Sequence, residues 1–395
     1  MSAPALDAGF PLYGTGAKRT AIAMDSCDVL IVGGGPAGSS CAWKLRGSGL
    51  DVATLDKETF PRNKVCGGWI TPAVLAELDI DPAEYTRGRV LQPITGFRTG
   101  RIGGRAVATD YGKAVSYGIR RYEFDDYLLK RSGARLFQGE ALATLERSGD
   151  FWIVNGHLST PLVVGAGGHF CPVARFMGAK FGSETIVAAQ EAEFAMDARQ
   201  QANCSVRPEI PELYFCADMK GYGWCFRKGN VLNVGLGRLD KHQLSRHVTD
   251  FLDFLKTAGR ISFEVPALAG HAYLLYGRTT RQLVGDGMLL IGDAAGLAFS
   301  QSGEGIRPAI ESGLLAAQVI ASAHGYSRQH LAAYRTLLTG RFGKSADCWV
   351  TRIGSRMPQG WINAAARTLL ANRWFTREMI LNRWFLRSHE PALQF

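Results

Sequence analysis

No two of the eight cysteines (Cys27, Cys41, Cys66, Cys171, Cys204, Cys216, Cys225 and Cys348) form a C-x-x-C pair, and no tetrad has zinc-ligand spacing. A metal centre is therefore not expected, and scattered thiols read as the reduced cysteines of a cytoplasmic protein. There is no run of about 18 apolar residues, which excludes a helical membrane span. The opening residues MSAPALDAGFPLYGTGAKRT lack an apolar stretch after a basic start, so a secretory signal is not expected. Long repeats, low-complexity tracts and the known nucleic-acid recognition modules are also missing, and no nucleic-acid partner is expected. Acidic residues are the minority, 35 against 45 Lys and Arg, leaving a formal net charge of +10. That balance suits an anionic partner such as a diphosphate, an acidic carrier protein or a membrane surface.

What is present is a globular composition, 46% hydrophobic and 20% charged, in 395 residues, enough for two or three packed units. Residues 1–26 read as a flexible arm. Order begins with Cys27-Asp28-Val29-Leu30-Ile31-Val32, a short apolar run suited to a buried parallel strand. GGGPAG follows it, then a helical segment, then the second strand DVATLD. Gly33, Gly35 and Gly38 thus form G-x-G-x-x-G between a strand and a helix. Gly33 allows the tight turn, Gly35 lets the backbone approach a pyrophosphate, and Gly38 lets helix and strand pack closely. Ala37 lies in the same turn, and the helix N-terminus offers N–H donors to phosphate. Asp56 closes the second strand, where a carboxylate accepts from ribose hydroxyls. The pattern predicts a dinucleotide site. No second G-x-G-x-x-G follows a strand, so no separate NAD(P) domain is expected.

Pieces of the same domain recur downstream as LVVGAGG at 162–168, MLLIGDAAG at 288–296 and a long buried helix over 309–323. Between them, runs such as ELYFCADM and NVLNVGLGR alternate as in a mixed or antiparallel sheet. The expected fold is α/β with α+β insertions. A discontinuous Rossmann-like domain spans 27–95, 115–185 and 280–330, and a mixed β-sheet substrate domain spans 96–114 and 186–279. Residues 331–395 are expected to be helical.

The segment Gly292-Asp293, with Gly305 opening the long helix, resembles the GD motif of FAD enzymes of the para-hydroxybenzoate hydroxylase type. The resemblance implies FAD as cofactor, with Asp293 on its ribityl chain and the turn of Gly303, Gly305 and Ile306 at the flavin. R-Y-E-F-D-D-Y-L-L resembles the helix start of that family and implies that Arg121 lies near the cofactor. The same alignment puts Leu142 near the adenine. LVVGAGGHFCPVAR resembles the family's middle strand, with Cys171-Pro172 in place of its usual Ser region.

Within that fold, P-R-N-K-V-C-G-G at 61–68 resembles the loop of the geranylgeranyl reductase family, enzymes that saturate isoprenoid double bonds. Pro61, Lys64, Cys66, Gly67 and Gly68 match in place. Y-G-W-C-F at 222–226, followed by V-G, and S-G-E-G-I-R at 302–307 are also similar to family marks. Arg227 and Ser300 stand where the family usually has Pro. The resemblance implies a reductase delivering hydride from reduced FAD to a prenyl or other lipid-like chain. NAD(P)H or an acidic reduced ferredoxin is the implied electron source. Trp69, Tyr222, Trp224 and Phe226 would line the substrate pocket. Cys66 is read either as the proton donor or as a small wall residue beside the flavin, with Lys64, Gly67 and Gly68 as its neighbours; Tyr222 is the other donor. A flavin monooxygenase or a halogenase on the same fold is the alternative, and a non-catalytic flavoprotein a third reading. Halogenases carry W-x-W-x-I-P where this chain reads Y-G-W-C-F-R.

The last 55 residues hold nine Lys and Arg against three acids, with Trp349, Trp361, Trp374 and Trp384 among them. NRWF occurs at 372–375 and again at 382–385, and on one continuous α-helix both tetrads would share a face. This region is read either as a helical cap with a solvated basic face or as a peripheral membrane contact that brings a cytoplasmic enzyme to its lipid.

Overall fold

A computed structural model describes residues 24–182, 184–239, 242–277, 281–343 and 359–394, without the side chains of 359 and 361–363. Most of the expected arm, Trp349 and the Trp361 side chain lie outside the described residues. Val29–Val32, Val52–Asp56 and Leu162–Gly165 are β-branched and leucine-rich runs, as strands covered on both faces require. They pair in parallel at the centre of a six-stranded sheet. Arg135–Gln138 extends one edge, and the hairpin of Val284–Gly285 and Met288–Leu290 extends the other.

Helix Pro36–Leu45 opens with proline at its first position, where a missing N–H costs nothing. It packs directly on the long helix Ile306–Ser322. The two backbones approach so closely that a Cβ at position 313 would lie 2.3 Å from the Ala37 carbonyl oxygen. Small residues along the first helix are what permit that contact.

The second large sheet has seven strands, contributed by residues 96–110 and 186–274. Its long central strands, Ile186–Ala195, Gly221–Lys228 and Val231–Arg238, are antiparallel, with Glu191 opposite Gly235 and Trp224 also opposite Gly235. Because side chains alternate along a strand, the face carrying Cys225, Val234 and Leu236 meets helix Leu244–Thr257 through Phe251 and Leu255. The other face carries Glu191, Tyr222, Trp224 and Phe226, which line the cavity described below. A third sheet pairs Trp69–Ile70, Ser116–Ile119 and Leu91–Ile94, and its short strand delivers Trp69 to the cavity.

The C-terminal region is not one continuous α-helix. Helix Gln359–Ala371 ends at Asn372, whose side chain caps a new turn by accepting from the Phe375 N–H at 2.9 Å. Residues Thr376–Phe385 then wind as a π-helix, with more residues per turn. The two NRWF tetrads therefore do not share a face. Trp374 is 67% exposed, whereas Trp384 packs on the core and Phe385 is buried.

Candidate active site

One cavity of about 500 Å³ runs from the glycine turn after the first strand to the aromatic face of the seven-stranded sheet. At its first end Gly33 adopts a left-handed φ of +117°, and a Cβ there would strike the main chain of Ala166 at 2.5 Å. Gly38 is equally constrained, since its Cβ would lie 1.9 Å from the Gly33 carbonyl oxygen. Protein packing thus accounts for both. It does not account for Gly35, where an added Cβ would meet only Arg62 Nη2, at 3.5 Å. A glycine left open on a cavity wall at a helix N-terminus fits a ligand phosphate pressed against the backbone. Asp56 accepts from the Gly34 N–H at 2.7 Å and from the Glu58 N–H at 2.9 Å, which fixes its carboxylate at the cavity edge.

Arg62 completes this end. It stacks over Phe60, pairs with Asp125 at 2.9 Å, and keeps a buried Nη1 with no protein partner. A guanidinium with a spare buried donor beside an open glycine suits a pyrophosphate. Sequence reasoning missed it, although it lies one residue from the family-like Pro61. The glycine turn, the fixed carboxylate and this free donor together fit the FAD that the sequence motifs imply.

Most of the sequence-derived residues meet on this cavity. Gly33, Gly35, Ala37 and Asp56 line the nucleotide end, together with Leu142. Arg121, Asp293, Gly303, Gly305 and Ile306 line the middle. Gly38 and Gly292 lie behind the wall; a Cβ at 292 would sit 2.8 Å from the Ala37 Cβ, so its place is in helix packing. Asp125, fully buried, holds Arg121 through two contacts of 2.6 Å. Burial alone would lower the Arg121 pKa, but Asp125 and the Cys66 thiol outweigh it and hold the guanidinium charged. Burial pushes the Asp293 carboxyl up, with Lys64 and Arg121 opposing.

Cys66, Gly67 and Gly68 lie where the middle meets the aromatic end. The loop is clamped to the sheet: Glu191 accepts from the Cys66 N–H, and the Cys66 carbonyl accepts from Asn233 Nδ2 at 3.1 Å. The Gly68 N–H points at Cys66 Sγ, 3.5 Å away. Lys64 Nζ is 3.1 Å from His271 Nδ1. Burial, then the positive charges of Lys64 and Arg121, push the imidazole down to about 3, so His271 is neutral and accepts from the ammonium. Burial likewise lowers Lys64.

The aromatic end is walled by Trp69, Trp224, Phe226 and Tyr222. Trp69 stacks on Phe385, with centroids 5.5 Å apart and planes 12° from parallel, and meets Phe226 edge-on at 6.0 Å. Trp224 donates to Asn233 Oδ1 at 2.7 Å, which satisfies its one polar atom. Tyr222 donates its hydroxyl proton to the Ser302 carbonyl at 2.5 Å. Phe385 brings the C-terminal π-helix over the chamber. That contribution had no signal in the sequence beyond the second NRWF.

Glu191 and Glu304 were also missed. Both line the cavity, and burial pushes each carboxyl up to about 7. Glu191 keeps one buried oxygen, Oε2, without a partner, and Glu304 keeps both. In the sequence Glu191 is simply a polar residue in an alternating strand, indistinguishable from a solvent-facing one.

Comparison with known proteins agrees with this geometry. Residues 28–121 match the family described as FAD dependent oxidoreductase. The chain is 30% identical over 344 residues to a menaquinone reductase of Mycobacterium tuberculosis, covering 81% of each. It is 28% identical to a digeranylgeranylglycerophospholipid reductase of Methanocaldococcus jannaschii, covering 76% of this chain and 78% of that one. Among solved structures, a geranylgeranyl bacteriochlorophyll reductase-like protein of Thermoplasma acidophilum superposes with a TM-score of 0.75 at 22% identity, over 93% of this chain and 98% of that one. The fold is shared more widely. CmlS, a flavin-dependent halogenase, superposes with a TM-score of 0.59 at 19% identity, over 82% of this chain and 63% of that one.

Proposed function

Since this chain belongs to the geranylgeranyl reductase family of FAD-dependent oxidoreductases, we propose that it saturates carbon–carbon double bonds of a prenyl or other lipid-like substrate. The observation that carries this reading is the aromatic chamber of Trp69, Trp224, Phe226 and Phe385, continuous with the cavity that fits FAD. Bound FAD, once reduced, supplies the hydride. The protein's part is to seat the alkene and keep water away from it. Apolar walls do both, because an alkyl chain gains by leaving water. Gly67 keeps the passage open: a Cβ there would come to 3.4 Å from Phe226 and 3.6 Å from Trp224 Nε1. Cys66 forms the wall at that passage.

Two further features support the reading. Lys64 is engaged by His271, and the strand reads Y-G-W-C-F-R, neither of which suits a halogenase site. The exposed Trp374 and Leu369 stand beside exposed Arg367 and Arg373 on the C-terminal region, a combination suited to resting on an anionic lipid surface. Among the described residues no helix is long and apolar enough to cross a membrane. Electrons would come from NAD(P)H or from an acidic ferredoxin drawn to the basic surface.

The test is mass spectrometry of a lipid panel treated with protein, FAD and reductant. Prenyl quinones, prenyl glycerolipids and polyunsaturated acyl lipids should include a substrate that gains two hydrogens per reduced bond. No mass gain across the panel overturns the proposal.

A further inference from the structure

The reductase reading leaves open where the second hydrogen comes from. Resting on that reading, we infer that Glu191 is the acid that protonates the alkene, through its free oxygen Oε2. One alkene carbon takes up hydride from the reduced cofactor. The other takes up the proton on Oε2, and Glu191 is left as a carboxylate. Solvent returns one proton to it per turnover, and the saturated product carries two additional hydrogens.

Four observations place Glu191 in this role. It is 4% exposed and lines the cavity, so it faces the substrate space and not bulk water. Its Oε1 accepts from the Cys66 main-chain N–H, which aims the carboxyl at the loop where the aromatic chamber begins. Its Oε2 is buried with no partner in the protein, an arrangement that costs stability unless the site uses it. Finally, it is seated beside the chamber's principal ring: a Cβ at Gly235 would lie 2.6 Å from both the Glu191 Cβ and Trp224 Cζ2. The glycine of the V-G pair, on the middle one of three strands, is what allows an acid and an indole from its two neighbours to stand together.

Burial keeps a large fraction of the acid protonated near neutral pH. Lys228, 1% exposed, is committed to Glu193 at 2.6 Å, and Asn233 also donates to Glu193 at 3.2 Å. Burial dominates and pushes Glu191 up to about 7; the Cys66 N–H, Lys228 and the nearby Asn233 amide lower it, and Glu193 raises it. The other acids on the cavity are less well placed. The Tyr222 proton is held by the Ser302 carbonyl, and burial pushes Tyr273 well above its ordinary range. Glu304 lies on the loop before the long helix, where burial raises its pKa and Arg307 and Arg387 lower it, and among the described residues it has no contact with the Cys66 loop corresponding to that of Glu191.

Glu191→Gln preserves size and the acceptor for Cys66 but removes the acid. FAD binding and reduction by dithionite should match the wild type. Oxidation of the reduced protein by alkene, followed without oxygen, should slow by about 10²–10⁴. The wild-type rate should fall as pH rises through about 7, and that slope should vanish in the variant. A readout independent of turnover is infrared difference spectroscopy across the same pH range. It should show protonated-carboxyl absorption titrating near 7 in the wild type that loses the Glu191 component in Glu191→Gln and keeps only that of Glu304. If the wild type reduces alkenes while the variant keeps its rate, slope and band, the assignment is overturned and the reductase reading stands. If the slope moves to Glu304→Gln, it is likewise overturned. If the wild type reduces no alkene, both fall.

Discussion

Asp125 is the point at which stability and the cofactor cavity depend on one side chain. It has no solvent exposure, and it neutralises two guanidinium groups, Arg121 at 2.6 Å and Arg62 at 2.9 Å, whose side chains are 9% and 14% exposed. Asp125→Asn retains the volume and removes the charge. One amide oxygen would replace two carboxylate oxygens, and an NH₂ would face an N–H donor. Removing one partner of a buried ion pair costs about 3–5 kcal/mol, because the remaining charge stays buried and uncompensated. At roughly 2 °C per kcal/mol for a large chain, the Tm should fall by about 5–10 °C. Asp126→Asn on the same helix is the control. Its partner Lys130 is 67% exposed, and such pairs contribute about 0.5 kcal/mol or less. Thermal scans and urea titrations of both variants give the comparison, and fluorescence titration gives FAD affinity, which should weaken only in Asp125→Asn. If the two variants lose equal stability, below about 1 kcal/mol, the buried-network argument is wrong.

Other outcomes follow from the same geometry. Gly38→Ala puts a methyl 1.9 Å from the Gly33 carbonyl oxygen, so the turn must shift, and FAD retention on a desalting column should drop sharply. Phe385→Ala removes a buried ring stacked on Trp69, at a cost of about 3–5 kcal/mol. With the chamber opened at that end, product analysis should show a changed choice of double bond or chain length. Glu191 and Glu304 both titrate near 7 in the folded protein against 4.5 for an ordinary glutamate. The folded state therefore binds more protons than the unfolded one between those values. Their contribution to stability is full below about 4.5 and is lost as pH rises through about 7. The Tm should be higher near pH 5.5 than near pH 8, and the double variant Glu191→Gln, Glu304→Gln should flatten that difference.

The parts of this molecule that were legible in the sequence are those in which the backbone itself does the work. Glycines at 33 and 38 are needed wherever a strand turns sharply into a packed helix, and that requirement is written in a few adjacent residues. The aromatic face of Tyr222, Trp224 and Phe226 was legible only through its resemblance to a family mark; in the structure, strand alternation puts the three on one side. Contacts assembled across long separations were not. Glu191 meets Cys66 across 125 residues of chain, and nothing local distinguishes a buried acid from an exposed one. Arg62 depends on Asp125, and Phe385 reaches the chamber only because the chain leaves α-helical winding after Asn372. A continuous helix would have put both NRWF tetrads on one face. The cap at Asn372 and the π-helical winding that follows separate them instead, leaving Trp374 in solvent and Phe385 on Trp69.

The central claim is that an alkene, not oxygen, is what this cavity brings to reduced FAD. The direct measurement is to reduce the FAD-loaded protein without oxygen, add a prenyl lipid, and follow the flavin absorbance while sampling the lipid by mass. The flavin should return to its oxidised spectrum in the absence of oxygen, in step with one saturated bond per flavin. A flavin that stays reduced with every such lipid, and reoxidises only when oxygen is admitted, would contradict it.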